Sequence, residues 1–425
     1  MPGNQNWSFS VAHEWSLLGD GIVKRPLEGI RVIDCGTYHA GPGAPAILGD
    51  LGAEVIKIEQ PGVGDPIRRQ MRIGTIPFEI PGGRSIFCEG ANRNKKSVSI
   101  DLNTKRGQEI IFDLVRQSDV FLTNMRSHAV EKMNITYPTL SAINDQLIYA
   151  VVSAFGPKGP DRDRGGFDYQ GQARSGFMYS FGEPEMPPLV SQFAIIDQAT
   201  AIMTSHQIIT ALYMRERFGI GQEVHVSILG TSLFLLYFNI LIEQMGKFDP
   251  PRHKRSHANP LRNYYCCKDK KWIMMTLTPE EKHWTPLCKA LGCPELVEDP
   301  RFNSDERRLV NAETLVSIFD RIFATRPRTD WLDVFAKHDL FASAVNTLSE
   351  LAHDPQIVEN GYLIDFDHPT LGQIKIPGYP GHFSKAWAGT TRAAPELGEH
   401  TDEVLGGLCG YSEEEIRALR EKGIV

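Results

Sequence analysis

Gly29-Ile-Arg-Val-Ile-Asp34, Gly36-Thr-Tyr-His-Ala-Gly-Pro-Gly43 and Ala53-Glu-Val-Ile-Lys-Ile58 are the stretches whose reading decides the fold. The outer two are short runs rich in β-branched residues and read as strands. The Gly/Pro-rich loop between them leads into a helical pattern that ends near Leu51-Gly52. Two strands joined by a loop and a helix over about 30 residues make a βαβ unit and hence a parallel sheet. Working outward, the pattern repeats. Ser97-Val-Ser-Ile100, Asp119-Val-Phe-Leu122 and Leu147-Ile-Tyr-Ala-Val-Val152 read as further strands. Thr104 is placed to cap a helix whose inner face carries Ile110, Ile111, Leu114 and Val115. The N-terminal half therefore reads as an open α/β sheet, in which ligands bind at the carboxyl ends of the strands.

Further along, apolar residues from Ile195 to Leu212 predict one long helix running to Arg215. Gly219-Ile-Gly-Gln-Glu223 breaks that pattern and is expected to mark a domain exit. The most apolar stretch, Ile228 to Met245, is roughly 18 residues long, the lower limit for a membrane span. It carries Ser232, Asn239, Glu243 and Gln244 and so reads as a buried helix of a soluble protein. Short strands follow at Trp272–Thr276 and Ser343–Val345, with a charged amphipathic helix at Leu315–Phe323 and an edge strand at Gly372–Pro377. Ser412 with Glu415 three residues later is a capping box for a last helix to Lys422. The first 25 residues show no periodicity and are expected to form an arm across the surface or onto a partner.

Composition bounds the function. A chain of 425 residues with 41% apolar and 23% charged residues has an ordinary globular make-up. A net charge of −7 argues against a non-specific nucleic-acid binder, which needs a basic face. A polyanionic small molecule stays open, because a few local Arg and Lys residues suffice for it. The start lacks the basic and apolar regions of a signal peptide. The seven cysteines are odd in number, scattered and without a CxxC pair, which fits reduced thiols in the cytoplasm. His253 and His257 stand four apart, but inside the basic run Pro250-Pro-Arg-His-Lys-Arg-Ser-His257, so no metal site is expected. There is no P-loop, no GxGxxG after the first strand and no GxSxG elbow.

One segment stands out: Gly165-Gly-Phe-Asp168-Tyr-Gln-Gly-Gln-Ala-Arg-Ser-Gly176. Glycines allow close approach of a substrate, and a carboxylate among them can serve as nucleophile or base. The same composition also fits a turn aspartate that caps the next helix.

Taken in order, several segments resemble the class III CoA-transferase family of the CaiB/BaiF type, which includes formyl-CoA and carnitine CoA-transferases. They are Leu27–Asp34 with Ala40-Gly-Pro42; Leu51–Glu59 with Gly64-Asp65 and Arg68; Asn92-Arg-Asn-Lys-Lys-Ser97 with Ile100-Asp-Leu102 and Asp119-Val; the segment around Asp168; Gly221–Ser227; and Leu397–Leu405. The resemblance implies that Asp168 is a covalent nucleophile, forming first an acyl anhydride and then a CoA thioester. By the family pattern, His39 and Ala40 lie at the CoA entrance, and Arg68, Lys95, Asn124, Met125 and Lys132 line the site. CoA and acyl-CoA are then substrates, with no tightly bound cofactor. The family fold implied is a doubly wound, Rossmann-like large domain made from residues 1–215 and 384–425, plus a smaller α+β domain over 224–383. An interlocked dimer is expected, as a homodimer or with a paralogous subunit, and no membrane or nucleic-acid partner.

Two departures from the family pattern bear on the site. Ser256-His-Ala-Asn-Pro260 stands where some members carry a run of glycines, so Asn259 or His257 is a candidate substrate contact. Met125 follows Asn124 where an aromatic ring is usual. Acyl-CoA racemases of the same superfamily place a histidine before the matching aspartate, whereas this chain has Phe167, and Asp197 alone reads as a helix-start residue. A structural subunit of a hetero-oligomeric transferase is the other alternative. The expected reaction moves CoA from a donor such as succinyl-CoA to a carboxylic acid. Phe155, Phe167, Tyr169, Phe177 and Tyr179 suggest a bulky or aromatic acceptor such as benzylsuccinate.

Overall fold

The computed structural model describes residues 24–425. All but the last two residues of the expected N-terminal arm lie outside them. The chain divides into two compact units. The larger comprises the residues up to Met178, Val190–Met245 and Pro355–Val425; the smaller comprises Tyr179–Leu189 and Gly246–Asp354.

The larger unit is built on six strands: β1 (Arg31–Cys35), β2 (Glu54–Glu59), β3 (Lys95–Ser99), β4 (Val120–Thr123), β5 (Ile148–Ser153) and β6 (Gln222–Ser227). All neighbours pair in parallel, in the order β3-β2-β1-β4-β5-β6. That is the doubly wound order, with its reversal between β1 and β4. Alternating side chains explain the layers. Ile33, Ile56 and Phe121 point into a core shared with α2 (Lys105–Val115) and with the helices Thr401–Cys409 and Glu413–Glu421. Their neighbours Val32, Val55 and Val120 point to the other face, against α1 (Gly43–Asp50) and the 24-residue α4 (Ile195–Phe218). With both faces covered, the central strands keep consecutive apolar residues, Val32-Ile33, Val55-Ile56 and Val120-Phe121-Leu122, which is why they are legible in the sequence. Thr104 caps α2 by accepting from the Gly107 N–H at 3.0 Å, and Ser412 and Glu415 close the capping box.

The smaller unit carries an antiparallel sheet of β7 (Arg262–Cys266), β8 (Trp272–Thr276) and β9 (Ala342–Val345). Tyr265, Trp284, Phe319, Phe323 and Trp331 fill the core between this sheet and its helices. In the larger unit, Leu363–His368 and Gly372–Pro377 pair as an antiparallel hairpin, so the expected edge strand is one arm of it.

Two sequence expectations need correction. Gly219–Glu223 is not a domain exit: it turns α4 back into β6, the edge strand of the large sheet, so the boundary expected at Val224 falls inside that strand. Gly221 is required there because a Cβ would come within 2.1 Å of the Asp145 carbonyl oxygen. The stretch Ile228–Met245 is not one buried helix. It forms two, Ile228–Leu235 and Tyr237–Gly246, bent by 67°. Phe234, Phe238 and Met245 are exposed, Phe238 and Met245 by about three-quarters of their surface (76% and 78%). Among the described residues, no single helix is long and apolar enough to cross a membrane.

Gly221→Ala should lower stability by about 1–3 kcal/mol, the usual cost of forcing extra volume into a packed site. An unchanged urea unfolding midpoint would show that the α4–β6 turn tolerates a side chain.

Candidate active site

At the reversal point, β1 and β4 release the chain in opposite directions and leave a crevice beyond their carboxyl ends. The loop after β1, Gly36–Pro42, forms one wall and is tied down residue by residue. Lys57 Nζ donates to the Gly36 carbonyl. Asn124, just past β4, accepts from the Thr37 N–H and donates to the Thr37 carbonyl, both at 2.8 Å. Asp65 accepts from the Tyr38 N–H at 3.0 Å. Lys95 Nζ donates to the Pro42 carbonyl and to Asp34, both at 2.7 Å, and to Asn92 at 3.1 Å.

The two lysines and two aspartates of this array are almost wholly buried. Burial works against the charge on Lys57, but Asp34, Asp65 and Glu59 outweigh it and hold its pKa above the ordinary value. For Lys95 burial wins, aided by repulsion from Lys57, and its pKa falls to about 8. Arg68 forms a two-pronged pair with Glu59, both bonds at 2.7 Å, and donates to the Pro395 carbonyl at 2.9 Å. Glu59 is held down to about 2: burial raises it, but Arg68 and Lys57 prevail.

A cleft of about 1280 Å³ opens along these strand ends. Tyr38, Ala40, Asn124 and Met125 line it, as do Arg126, Arg162 and Arg164, Phe167 and Asp197. Asp168 sits against it as the first residue of α3 (Asp168–Ser175) and is only 5% exposed. Its Oδ2 accepts two backbone N–H groups at the start of α4, from Ile196 at 2.6 Å and Asp197 at 3.0 Å. Its Oδ1 accepts from the Gln172 side chain, one turn along α3. Gln172 is fixed in turn by the Ser191 backbone, donating to its carbonyl at 2.7 Å and accepting its N–H at 2.8 Å. Unpaired N–H groups and the helix dipole make the start of α4 a natural seat for a carboxylate.

Two consecutive non-glycine residues, Phe193 and Ala194, take left-handed conformations (φ 63° and 60°) just before α4. Such residues store of order 1–3 kcal/mol of strain each and persist where surrounding structure enforces them. Here they bring the first N–H groups of α4 onto Asp168. Gly171 lets α3 approach Ile228, since a Cβ there would lie 2.4 Å from its methyl group. That glycine serves packing between helices, where the sequence reading gave the segment's glycines to substrate approach.

His39 Nε2 lies 2.7 Å from Gln198 Oε1, next to Asp197. Burial lowers its pKa despite that contact, so the ring is neutral at ordinary pH.

The structure thus brings Ala40, Asn124 and Met125 to the cleft, with His39 and Asp168 against it. Lys95 and Arg68 are a correction. Lys95 is enclosed and fully bonded within the loop-anchoring array, and Arg68 is paired with Glu59, so neither is free to take a phosphate. Lys132 is exposed at the end of the helix Ser127–Lys132 and does not line the cleft. Asn259 and His257 belong to the smaller unit, where Asn259 bonds Glu280 and the Leu261 N–H, and His257 bonds Ser256. Sequence reasoning missed the cleft cations Arg126, Arg162 and Arg164. The run Arg162-Asp-Arg164 directly before Gly165 was the available signal. It also missed Gln172, whose place four residues after Asp168 puts it one helical turn away.

Comparison with known proteins gives the family. The family model described as CoA-transferase family III matches residues 27–401, and the chain belongs to that family. Succinyl-CoA:glutarate CoA-transferase of Mus musculus is 30% identical over 401 residues, covering 94% of this chain and 90% of the mouse protein. Succinyl-CoA–L-malate CoA-transferase alpha subunit of Chloroflexus aurantiacus is 31% identical over 414 residues, covering 96% and 94%. The crystal structure of a CaiB/BaiF family protein from Brucella suis superposes with a TM-score of 0.81 at 29% identity, covering 90% of this chain and 99% of that one. The protein is accordingly a class III CoA-transferase, acting on an acyl-CoA and a carboxylic acid.

Lys95→Met should destabilise the fold by about 3–5 kcal/mol, because it leaves buried Asp34 short of a partner. Urea denaturation checks this. Wild-type stability combined with a raised KM for acyl-CoA would instead make Lys95 a substrate ligand.

Proposed function

We propose that the enzyme transfers CoA from a succinyl-CoA donor to a carboxylic acid through covalent intermediates on Asp168. The observation that carries this reading is the Asp168 carboxylate at the start of α4, with one oxygen held by two backbone N–H groups. Asp168 attacks the thioester carbonyl, forming a mixed anhydride and releasing the CoA thiolate. The thiolate attacks the aspartyl carbonyl, which leaves an aspartyl-CoA thioester and frees the donor acid. The acceptor carboxylate then repeats both steps in reverse. Each bond broken has a good leaving group, and no thioester energy is lost to water.

The hydrogen bonds suit those steps. When the thiolate adds to the aspartyl carbonyl, negative charge returns to an Asp168 oxygen. The N–H groups of Ile196 and Asp197 already point at Oδ2, so no donor has to reorient as the charge develops. One lost donor of this kind typically costs about 10²–10³-fold in kcat. For CoA itself, Arg126 supplies a cation for a phosphate, with Arg162 and Arg164 beside it in exposed ion pairs with Asp163 and Asp161 that a phosphate can displace. The hollow beside Met125, Met133, Ile100 and Leu102 offers an apolar seat for adenine.

Succinyl-CoA as donor is supported by the names of the mouse and Chloroflexus relatives, both of which pair it with a dicarboxylic acceptor. For the acceptor, Phe167 is 57% exposed in the cleft wall and stacks edge-on with Tyr38 at 5.4 Å. A dicarboxylate with a bulky or aromatic body, such as benzylsuccinate, fits that pair of rings. A dimer is supported by the exposed apolar face of Tyr237–Gly246, a row that in water favours cover by another chain. Phe167 in place of a histidine removes the proton carrier that a racemase needs.

Purified chain, succinyl-CoA and a panel of acids from glutarate to benzylsuccinate test the reading. Exchange is expected, with benzylsuccinate favoured, and Asp168→Asn should reduce kcat at least about 10³-fold while leaving thermal unfolding intact. Brisk exchange by the variant would refute the role of Asp168. Preference for glutarate would refute the bulky acceptor alone.

A further inference from the structure

Beside the nucleophile stands a second carboxyl group that the reaction as described does not use. Asp197 lines the cleft, is 7% exposed, and its Oδ1 is a buried oxygen with no hydrogen-bond partner among the described residues. Its own backbone N–H holds Asp168 Oδ2, which fixes the two carboxyl groups as neighbours on adjoining helix starts. A buried acceptor left unpaired is costly as an ion, whereas a protonated carboxyl is neutral and carries a donor to offer.

We propose that Asp197 is a catalytic acid and base that hands its proton to the departing CoA thiolate and takes it back before the thiol attacks the aspartyl carbonyl. This rests on the reading of Asp168 as nucleophile. In the resting site Asp168 is the carboxylate and Asp197 the acid. Attack by Asp168 breaks the carbon–sulfur bond, forms the anhydride and leaves CoA thiolate. The Asp197 proton moves to that sulfur, giving CoA thiol and the Asp197 carboxylate. In the second half, Asp197 removes the same proton. The thiolate attacks the aspartyl carbonyl, the carbon–oxygen bond to the donor acyl group breaks, and the donor leaves as its carboxylate. Asp197 ends protonated, and no proton is gained or lost.

The electrostatics run in the required direction. Burial, and next to it the Asp168 charge, raise the Asp197 pKa to about 7, so a large share of the resting enzyme carries that proton at neutral pH. Once Asp168 is acylated, its negative charge is gone and one of those two causes vanishes. Asp197 therefore becomes a stronger acid at the moment a thiolate needs a proton. A pKa near the working pH is also where a general acid and base is most effective. The groups facing it from neighbouring elements are few. Asp168 comes from α3. His39, from the loop after β1, is neutral and engaged with Gln198. His225 on β6 lines the same cleft, as do Arg126, Arg162 and Arg164.

Asp197→Asn tests the inference, since it keeps size and polarity but carries no transferable proton. In the wild type, kcat/KM for acyl-CoA should fall as pH rises through about 7. In the variant that limb should be absent and kcat about 10²-fold lower, with KM changed only a few-fold. A wild-type profile flat through this range overturns the proposal with no variant needed, as does an Asn variant with wild-type kcat. Mass analysis of the Asp168 peptide after incubation with acyl-CoA separates the two readings. If the wild type carries CoA on Asp168 but the Asn variant matches it in rate and pH profile, only the role of Asp197 fails. If the wild type never carries CoA there, the nucleophile assignment fails first.

Discussion

A carboxylate seated on the first N–H groups of a 24-residue helix is the interaction on which the active site depends. Helix α4 contributes its partial positive end and two orphan donors, and Asp168 contributes the charge they lack. The consequence is a carboxylate held nearly out of water, with one oxygen fixed by two backbone N–H donors and the other by Gln172. The left-handed pair Phe193-Ala194 shows that this arrangement is held against local backbone preference. Burial, and after it the Asp168 charge, push the Asp197 pKa up, so a second negative charge is disfavoured beside the first at this helix start.

The opposite wall is governed by a different constraint. Gly36–Pro42 runs past the cleft with four of its residues tethered to Lys57, Asn124, Asp65 and Lys95. Two buried lysines, each holding a carbonyl near one end of the loop, act as struts. Buried ion pairs of this type often add little net stability, because desolvation offsets attraction. Their effect here is on geometry, since a loop with both ends pinned keeps the crevice between β1 and β4 open.

Much of this was legible in the sequence, and what was not has identifiable causes. Strands β1, β2, β4 and β5 are visible because a sheet covered on both faces keeps consecutive apolar residues, whereas β3 carries only Val98 among polar residues and shows through the run to Ile100. Asp168 was singled out by the glycines around it and by family resemblance. Lys95 and Arg68 were misread because a lysine or arginine looks the same in sequence whether it meets solvent, phosphate or a buried carboxylate. Only the fold shows that Asp34 and Glu59 reach them first. Strand β6 was missed as part of the large sheet because Gly219-Ile-Gly looks like a boundary, whereas Gly221 is there for a close approach to Asp145. The exposed helix Tyr237–Gly246 was read as buried because apolar content says that a surface needs cover, not whether this chain or another supplies it.

The central claim is that a carboxyl oxygen of Asp168 is exchanged with the acid substrates. In the proposed sequence each acceptor carboxylate leaves one of its oxygens on the aspartate. Turnover with an acceptor labelled with heavy oxygen, followed by mass spectrometry of the digested enzyme, reads this directly. The account predicts heavy oxygen on the peptide bearing Asp168 and on no other. Label absent from the protein after many turnovers, or found on a different carboxyl group, would contradict it.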